Sequence, residues 1–388
     1  MKRIYLDNAA ASPIAPEAIE AFNHACDQFF ANTSSVHATA QRAEFALQNA
    51  RERLTNILNA RSATVVFTAT GTEADNLAVI GTALAARKKF GYNHVAFSAV
   101  EHPAVENSAK LLHREFGFEI SRVAVNAYGI PTTEAIAECV KSNTALCSFI
   151  LANNEVGTIS PISQLSAQCK KINPQILVHA DAVQAAAWLQ IDFNALGADL
   201  ITIGGHKFGS PGGGALIMRK GTPLHPVIVG GNHEGGMRAG TPNVPEVMAM
   251  VRALEIRREQ IAADIQHDST HRVANLRDLI IATVLKEISG TRLTGHPAER
   301  LPNHASFVFE NLEGNTLARM LDFKGYAVSP GAACKTGNPV PSAVLQALGF
   351  SDALALGGLR VSIGFETLSE DVNAFLTALP EAVERARG

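Results

Sequence analysis

The chain has 388 residues, 47% hydrophobic and 18% charged; this length predicts two or three structural units around a large buried core, and no run is apolar enough to cross a bilayer as a helix. A formal net charge of −3 with scattered Lys and Arg gives no footprint for nucleic acid or an anionic membrane, so a small-molecule partner is expected. The five cysteines, Cys26, Cys139, Cys147, Cys169 and Cys334, lack a CxxC pair or a Cys/His cluster, which argues against a disulfide framework and against a metal site. At the start, MKRIYLDNAA, Asp7 and Asn8 interrupt any apolar run; with no secretory or transit peptide legible, a cytoplasmic protein is expected.

In chain order, short apolar runs alternate with amphipathic stretches: TVVFT at 64–68, HVAFSA from 94, ALCSFILA from 145, QILVHA from 175, DLITI from 199 and GALIM from 214. Continuous apolar strands imply burial on both faces. The expectation is an α/β fold with a mainly parallel sheet between helices and its sites at the strand carboxyl ends.

The first such end, VVFTATGTEADNLAV, places Gly71 and Thr72 at a helix start. Backbone N–H groups and a hydroxyl converging there make an anion site suited to a phosphate, while Thr72 with Glu73 to Asp75 also suffices as a plain helix cap. FSAVEHPAV puts His102 after the next strand, where an imidazole can stack on a flat ring and move protons; FILANNEVG puts Asn153, Asn154 and Glu155 after another. QILVHADAVQ and DLITIGGHKFGSPGGG supply Asp181 and Lys207 at two buried strand ends. A desolvated lysine there can form a Schiff base with an aldehyde, and an aspartate nearby can hold a pyridinium nitrogen protonated, the pairing that pyridoxal phosphate needs. Against this, Lys207 reads equally as a loop lysine, Asp181 as a helix N-cap and His206 as a turn residue rather than a phosphate donor.

From Pro245 a long helical region is predicted, broken near Ser269 and Thr270, and beyond it strands at 305–310 and 358–364 among helices imply a smaller α+β unit. The domains expected are residues 1–255, with the N-terminal segment packing on the small unit, and residues 256–388. YAVSPGAACKTGNPVPSAVL predicts a mobile loop carrying Cys334 beside Lys335, before a helix starting near Pro341. The neighbouring cation favours a nucleophilic thiolate, whereas the other four cysteines sit in helical or strand patterns that predict inert burial. Arg360, inside the apolar strand GLRVSIG, calls for a partner: a substrate carboxylate or a structural carboxylate.

YLDNAA, TATGTEADN, EHPAV, NNEVG, HADAVQ, GGHKFGSPGG, MRAGT, GAAC and LRVSIG, in this order over nearly the whole chain, resemble the cysteine desulfurases of the class V aminotransferase family. The resemblance implies a fold-type I pyridoxal-phosphate transferase with a mainly parallel large domain and a smaller α+β C-terminal domain. By the same resemblance Lys207 carries the cofactor, Asp181 binds its pyridine nitrogen, Gln184 approaches the phenolic oxygen, His102 stacks on the ring, and Gly71, Thr72 and His206 hold the phosphate. Thr241 would reach the phosphate of a second subunit, making a homodimer, and Arg360 with Asn154 and Asn32 would hold the carboxylate of L-cysteine. Cys334, Lys207 and His102 would then carry catalysis: sulfur passes to Cys334 as a persulfide, alanine leaves, and a protein scaffold or carrier accepts the sulfur for iron–sulfur assembly or thiolation. The loop after Cys334 is similar to the long-loop, iron–sulfur assembly group. Departures from the family pattern are Gly204, where a serine is usual, and Pro330 and Lys335 around the cysteine. The alternatives on the same scaffold are selenocysteine lyase and cysteine lyase, and outside catalysis a silent sulfur-relay scaffold.

Overall fold

The computed structural model describes residues 3–266, 272–331, 334–335 and 338–388. Its first strand, β1 (Ile4–Tyr5), lies far in sequence from its partner. The main sheet follows as β2 (Thr64–Thr68), β3 (His94–Ser98), β4 (Glu119–Val123), β5 (Thr144–Ile150), β6 (Leu177–Asp181), β7 (Leu200–Gly204) and β8 (Gly214–Met218). These seven strands run in the order β2-β8-β7-β6-β5-β3-β4. β8 is antiparallel to both neighbours and every other pairing is parallel.

Every residue of β3, β5, β7 and β8 is buried. Helices cover both faces, which is why these strands read as unbroken apolar runs rather than alternating ones. Parallel register sets the carboxyl ends side by side: Ile150 pairs with Asp181, and Asp181 with Thr202. One face of this apolar sheet therefore carries a polar row, Ser148 beside His179 and Asp181 beside Thr202, which leads to the functional edge.

After the helices Val244–Gln266 and Arg272–Glu287, a second sheet forms from β9 (Thr291–Leu293), β10 (His304–Phe309), a short β12 (Ser329–Pro330) and β15 (Gly358–Ser362), in the order β12-β15-β10-β9. β11 (Tyr326–Ala327) pairs in parallel with β1, while β13 (Cys334–Lys335) and β14 (Asn338–Pro339) form a small hairpin. The sequence break expected near Ser269 and Thr270 falls outside the described residues. The helix expected near Pro341 is Ala343–Ala347, capped by Ser342, whose hydroxyl accepts from Leu345 N–H.

The chain's start is a strap between the two sheets. Asp7 bridges to Ser362, Ala9 N–H donates to Ser362 Oγ at 2.8 Å, and Ser12 N–H donates to His206 O at 3.0 Å. Among the described residues no helix is long and apolar enough to cross a membrane, and no group of His, Cys, Asp and Glu could hold a metal ion.

Candidate active site

β7 ends at Gly204 and turns at once through Gly205–Lys207. The turn closes on the SPGGG loop so tightly that a Cβ on Gly205 would sit 2.2 Å from Gly212 O, a contact only glycine avoids. Lys207 leaves this turn half-buried, and its ammonium donates to the carbonyls of Ala9 at 2.7 Å and Ala10 at 2.8 Å. Burial, followed by the charge of Arg360, lowers its pKa to about 8, with Asp181 and Asp7 opposing. Near neutrality a useful fraction of this amine is free base, as a Schiff-base nucleophile requires.

Lys207 lines a cleft together with Gly71, Thr72, Asp75, His102 and Ile150. Asn154, Asp181, Val183, Gln184 and His206 complete the wall. The strand ends of β2, β3, β5, β6 and β7 thus deliver groups to one space, as expected at the carboxyl edge of a parallel sheet.

Asp181 is 3% exposed, and its Oδ1 accepts from Val183 N–H at 2.9 Å. Burial raises its pKa, opposed by His102, by that N–H and by Lys207. Two further buried acids stand near it. Asp75 and Glu101 are pushed well above the carboxylate range, first by burial and next by the charge of Asp181. Of the three, Asp181 alone has its ionised form favoured by His102 and Lys207, whereas burial and the charge of Asp181 favour the protonated forms of Asp75 and Glu101.

Thr202 Oγ donates to Asp75 Oδ1 at 2.6 Å and lies 3.3 Å from His179 Nε2; His179 Nδ1 is 2.9 Å from Ser148 Oγ, which reaches Glu101 Oε2 at 3.5 Å. Burial lowers the His179 pKa to about 3, so this ring is neutral. His102 caps the helix Pro103–Phe116, its Nδ1 accepting from Ala104 N–H at 3.1 Å, which leaves Nε2 to carry the proton of the neutral ring. Burial lowers the His102 pKa, with Asp181 pulling the other way. His206 falls to about 4 through burial and then the charge of Lys207.

The two readings of the Gly71–Thr72 helix start are separated by its capping. Thr70 Oγ1 accepts from Glu73 N–H at 3.0 Å while Glu73 Oε2 accepts from Ala69 N–H at 2.8 Å, a reciprocal cap that does not use Thr72. Thr72 is left exposed on the cleft wall. Gly204 has little room for a larger residue: a Cβ there would lie 3.2 Å from Val183 Cγ1 and 3.3 Å from His206 Cε1. Gln184 is 3% exposed, yet neither Nε2 nor Oε1 has a hydrogen-bond partner. A buried unmet polar group costs about 1–3 kcal/mol, so this amide on the cleft wall is suited to bond a polar group of a ligand.

Arg360, on β15, is 8% exposed. Its Nη1 donates to Asn154 O at 2.9 Å and its Nη2 to Asp7 Oδ1 at 2.7 Å, while Nε has no partner. The structural carboxylate foreseen as one explanation is thus Asp7, and one donor remains free beside it.

Other residues singled out from sequence lie apart from this cleft. Asn32 is exposed, its Oδ1 accepting from Ser34 N–H and lying 3.4 Å from His233 Nε2. Thr241 lines a different hollow with Arg238 and Phe67. Cys334 is placed by its backbone in β13, and its side chain lies outside the described residues. Inert burial describes Cys147 and Cys169 but not the others: Cys26 is exposed and Cys139 half-buried, because their short helices turn those positions toward solvent. Asp7, Glu101 and His304 were not foreseen as site residues, and Asp75 only as a cap. Each reaches the site through a long-range contact that no local pattern announces.

The description "Aminotransferase class-V" fits residues 4–375 of this chain. A cysteine desulfurase IscS of Dictyoglomus turgidum is 38% identical over 389 residues, covering 100% of this chain and 96% of the relative. An IscS-like cysteine desulfurase of Mycobacterium tuberculosis is 39% identical over 388 residues, covering 99% and 97%. Among solved structures, a NifS-like protein superposes with a TM-score of 0.88 at 30% identity, covering 99% of this chain and 100% of that one. A match spanning both sheets and the strap between them leaves no part of the fold unaccounted for, and the chain therefore belongs to the pyridoxal-phosphate-dependent aminotransferase class-V family, among its cysteine desulfurases.

Proposed function

We propose that this chain takes sulfur from L-cysteine onto Cys334 as a persulfide, releases L-alanine, and passes the sulfur to a protein acceptor. The observation that carries the reading is the meeting, in one cleft, of the lowered-pKa amine of Lys207, the buried carboxylate of Asp181 and the unpartnered amide of Gln184. That set fits pyridoxal phosphate: an amine for the aldehyde, a carboxylate for the pyridine nitrogen, an amide for the phenolic oxygen. Gly71, Thr72 and His206 are the residues to hold its phosphate, with His102 against the ring. When bound, the cofactor supplies an electron sink that acidifies the substrate's α-proton and takes up charge as the carbon–sulfur bond breaks.

The protein's own part is proton and sulfur handling. Lys207 and the neutral His102 take and return protons at the α- and β-carbons, Arg360 and Asn154 orient the carboxylate, and Asp181 keeps its charge because Asp75 and Glu101 stay protonated. Cys334 Sγ forms a bond to the substrate sulfur as the carbon–sulfur bond breaks; the β-carbon keeps that electron pair, gains a proton and becomes the methyl of alanine. Analysis of products from L-cysteine tests the whole: alanine with protein-bound persulfide supports it, whereas pyruvate with sulfide makes the chain a lyase.

Lys207 must be neutral to capture the cofactor. The rate at which the apoprotein takes up pyridoxal phosphate is expected to rise with pH and level off above about 8, as stopped-flow absorbance would show. A rate still climbing toward the ordinary lysine value of 10.5 would remove Lys207 from this role.

The domains proposed are residues 1–255 and 256–388, a division supported by the second sheet lying wholly within the latter range. The homodimer is part of the same proposal. Arg51 pairs with Glu234 and Arg238 with Glu73, fixing the segment that carries Thr241. Nearby Val229 stays 75% exposed, as do Phe45 at 75% and Val36 at 90%, an apolar display that a second subunit would cover. Val229→Asp is expected to shift the protein toward monomer in light scattering and to weaken cofactor retention, because Thr241 would no longer reach the neighbouring phosphate. An unchanged mass would dissociate this face from assembly.

A further inference from the structure

We infer that His304 is a positioning residue for the carboxylate-binding end of the cleft, acting through the Asn154 carbonyl; the inference rests on the reading of Arg360 as the group that takes the substrate carboxylate. His304 opens β10 and is 0% exposed. Its strand pairs with the strand of Arg360, Ser306 lying opposite Arg360 and His304 opposite Ser362. The two side chains converge on one atom: Asn154 O lies 3.1 Å from His304 Nε2 and 2.9 Å from Arg360 Nη1.

A carbonyl oxygen only accepts, so His304 must donate from Nε2 and its tautomer is fixed. Its Nδ1 has no partner. Burial and the nearby charges of Arg360 and Arg300 keep the ring neutral. The imidazole also lies under the turn that follows β5, where a Cβ on Gly157 (φ +80) would come within 2.8 Å of Nδ1. The ring is therefore both the donor that pins the Asn154 carbonyl and the floor on which the turn from Asn153 to Gly157 rests.

This matters because Arg360 is aimed from its two ends. Asp7 holds Nη2, Asn154 O holds Nη1, and the buried Nε is left without an acceptor. A guanidinium donates bidentately only when its plane is fixed. Without the His304 donor, the carbonyl that sets one end of that plane loses an anchor, and the fork should turn away from the carboxylate.

The test compares His304→Leu, which removes the donor, with His304→Gln, whose amide can replace it, alongside Arg360→Lys. Two ligands are titrated into the holoenzyme by the change in its visible absorbance: L-alanine, which has the carboxylate, and ethylamine, which lacks it. His304→Leu is expected to weaken L-alanine binding and raise KM for L-cysteine by about tenfold, leaving kcat and ethylamine binding near the parent values, with His304→Gln recovering most of the loss. If His304→Leu does not fold, His304→Asn, whose shorter amide falls short of the carbonyl, carries the same expectation. Equal losses for both ligands, or no loss, overturn the inference while Arg360→Lys still weakens L-alanine. Unchanged L-alanine binding in Arg360→Lys overturns the clamp itself and this inference with it.

Discussion

Lys207→Ala is expected to lower kcat/KM for L-cysteine by about 10³-fold or more, even with excess pyridoxal phosphate. The amine sits at the mouth of β7, tied to the Ala9 and Ala10 carbonyls, with its pKa lowered to about 8 chiefly by burial. No second lysine lines the cleft among the described residues, so no neighbour can replace it as nucleophile or as proton carrier. Arginine cannot rescue it, since a guanidinium does not deprotonate at working pH and forms no Schiff base. Alanine release, measured with circular dichroism to confirm the fold, decides the matter; activity within about tenfold of the parent would contradict the assignment.

Cys334→Ala has a different signature. The cleft keeps every residue proposed to hold the cofactor, so the variant should bind pyridoxal phosphate with parental affinity and still respond to L-cysteine in its absorbance. Protein persulfide should vanish, and alanine turnover should fall by about 10²- to 10⁴-fold, the range for removing a positioned reacting group. Mass spectrometry of the alkylated protein after a single turnover locates the sulfur. Persulfide found on Cys26, the exposed thiol on the helix Pro16–Gln28, would move the acceptor role away from the hairpin β13–β14.

The site was legible in sequence wherever chemistry coincides with a strand end. Lys207, Asp181, His102 and Asn154 each follow a short apolar run, and the parallel fold alone suffices to gather them, because parallel strands share one carboxyl edge. What stayed hidden depends on contacts between distant segments. Asp75 looked like part of a helix cap because its neighbours Thr70 and Glu73 are one. Its burial against Thr202, 127 positions away, has no local trace. Glu101 adjoins a histidine that drew attention for itself, and His304 opens a strand that, Ser306 apart, is otherwise apolar. Arg360 left two explanations open; the structure supplies the structural carboxylate in Asp7 and leaves one buried donor, Nε, without a partner.

The strap formed by the first residues sets the order in which the protein can be completed. Ile4 pairs with Tyr326, Asp7 bridges to Ser362, and Lys207 rests on Ala9 and Ala10. Early segments fold as units, and residues 9–15 can settle on the turn after β7 through Ser12 with His206 and Ala15 with Gly209, yet Ile4 and Asp7 have no partner until β11 and β15 have been synthesised. Closing a loop of that length adds little free energy beyond a shorter one, since the entropic term grows only with the logarithm of length, but it cannot be done early. The sheet edge that presents Lys207 can therefore form before the far end of the strap is pinned to the second sheet. The contacts that hold the Lys207 amine, to Ala9 and Ala10, thus belong to the first unit, while the outer end of the same strap is locked only when the second sheet is complete.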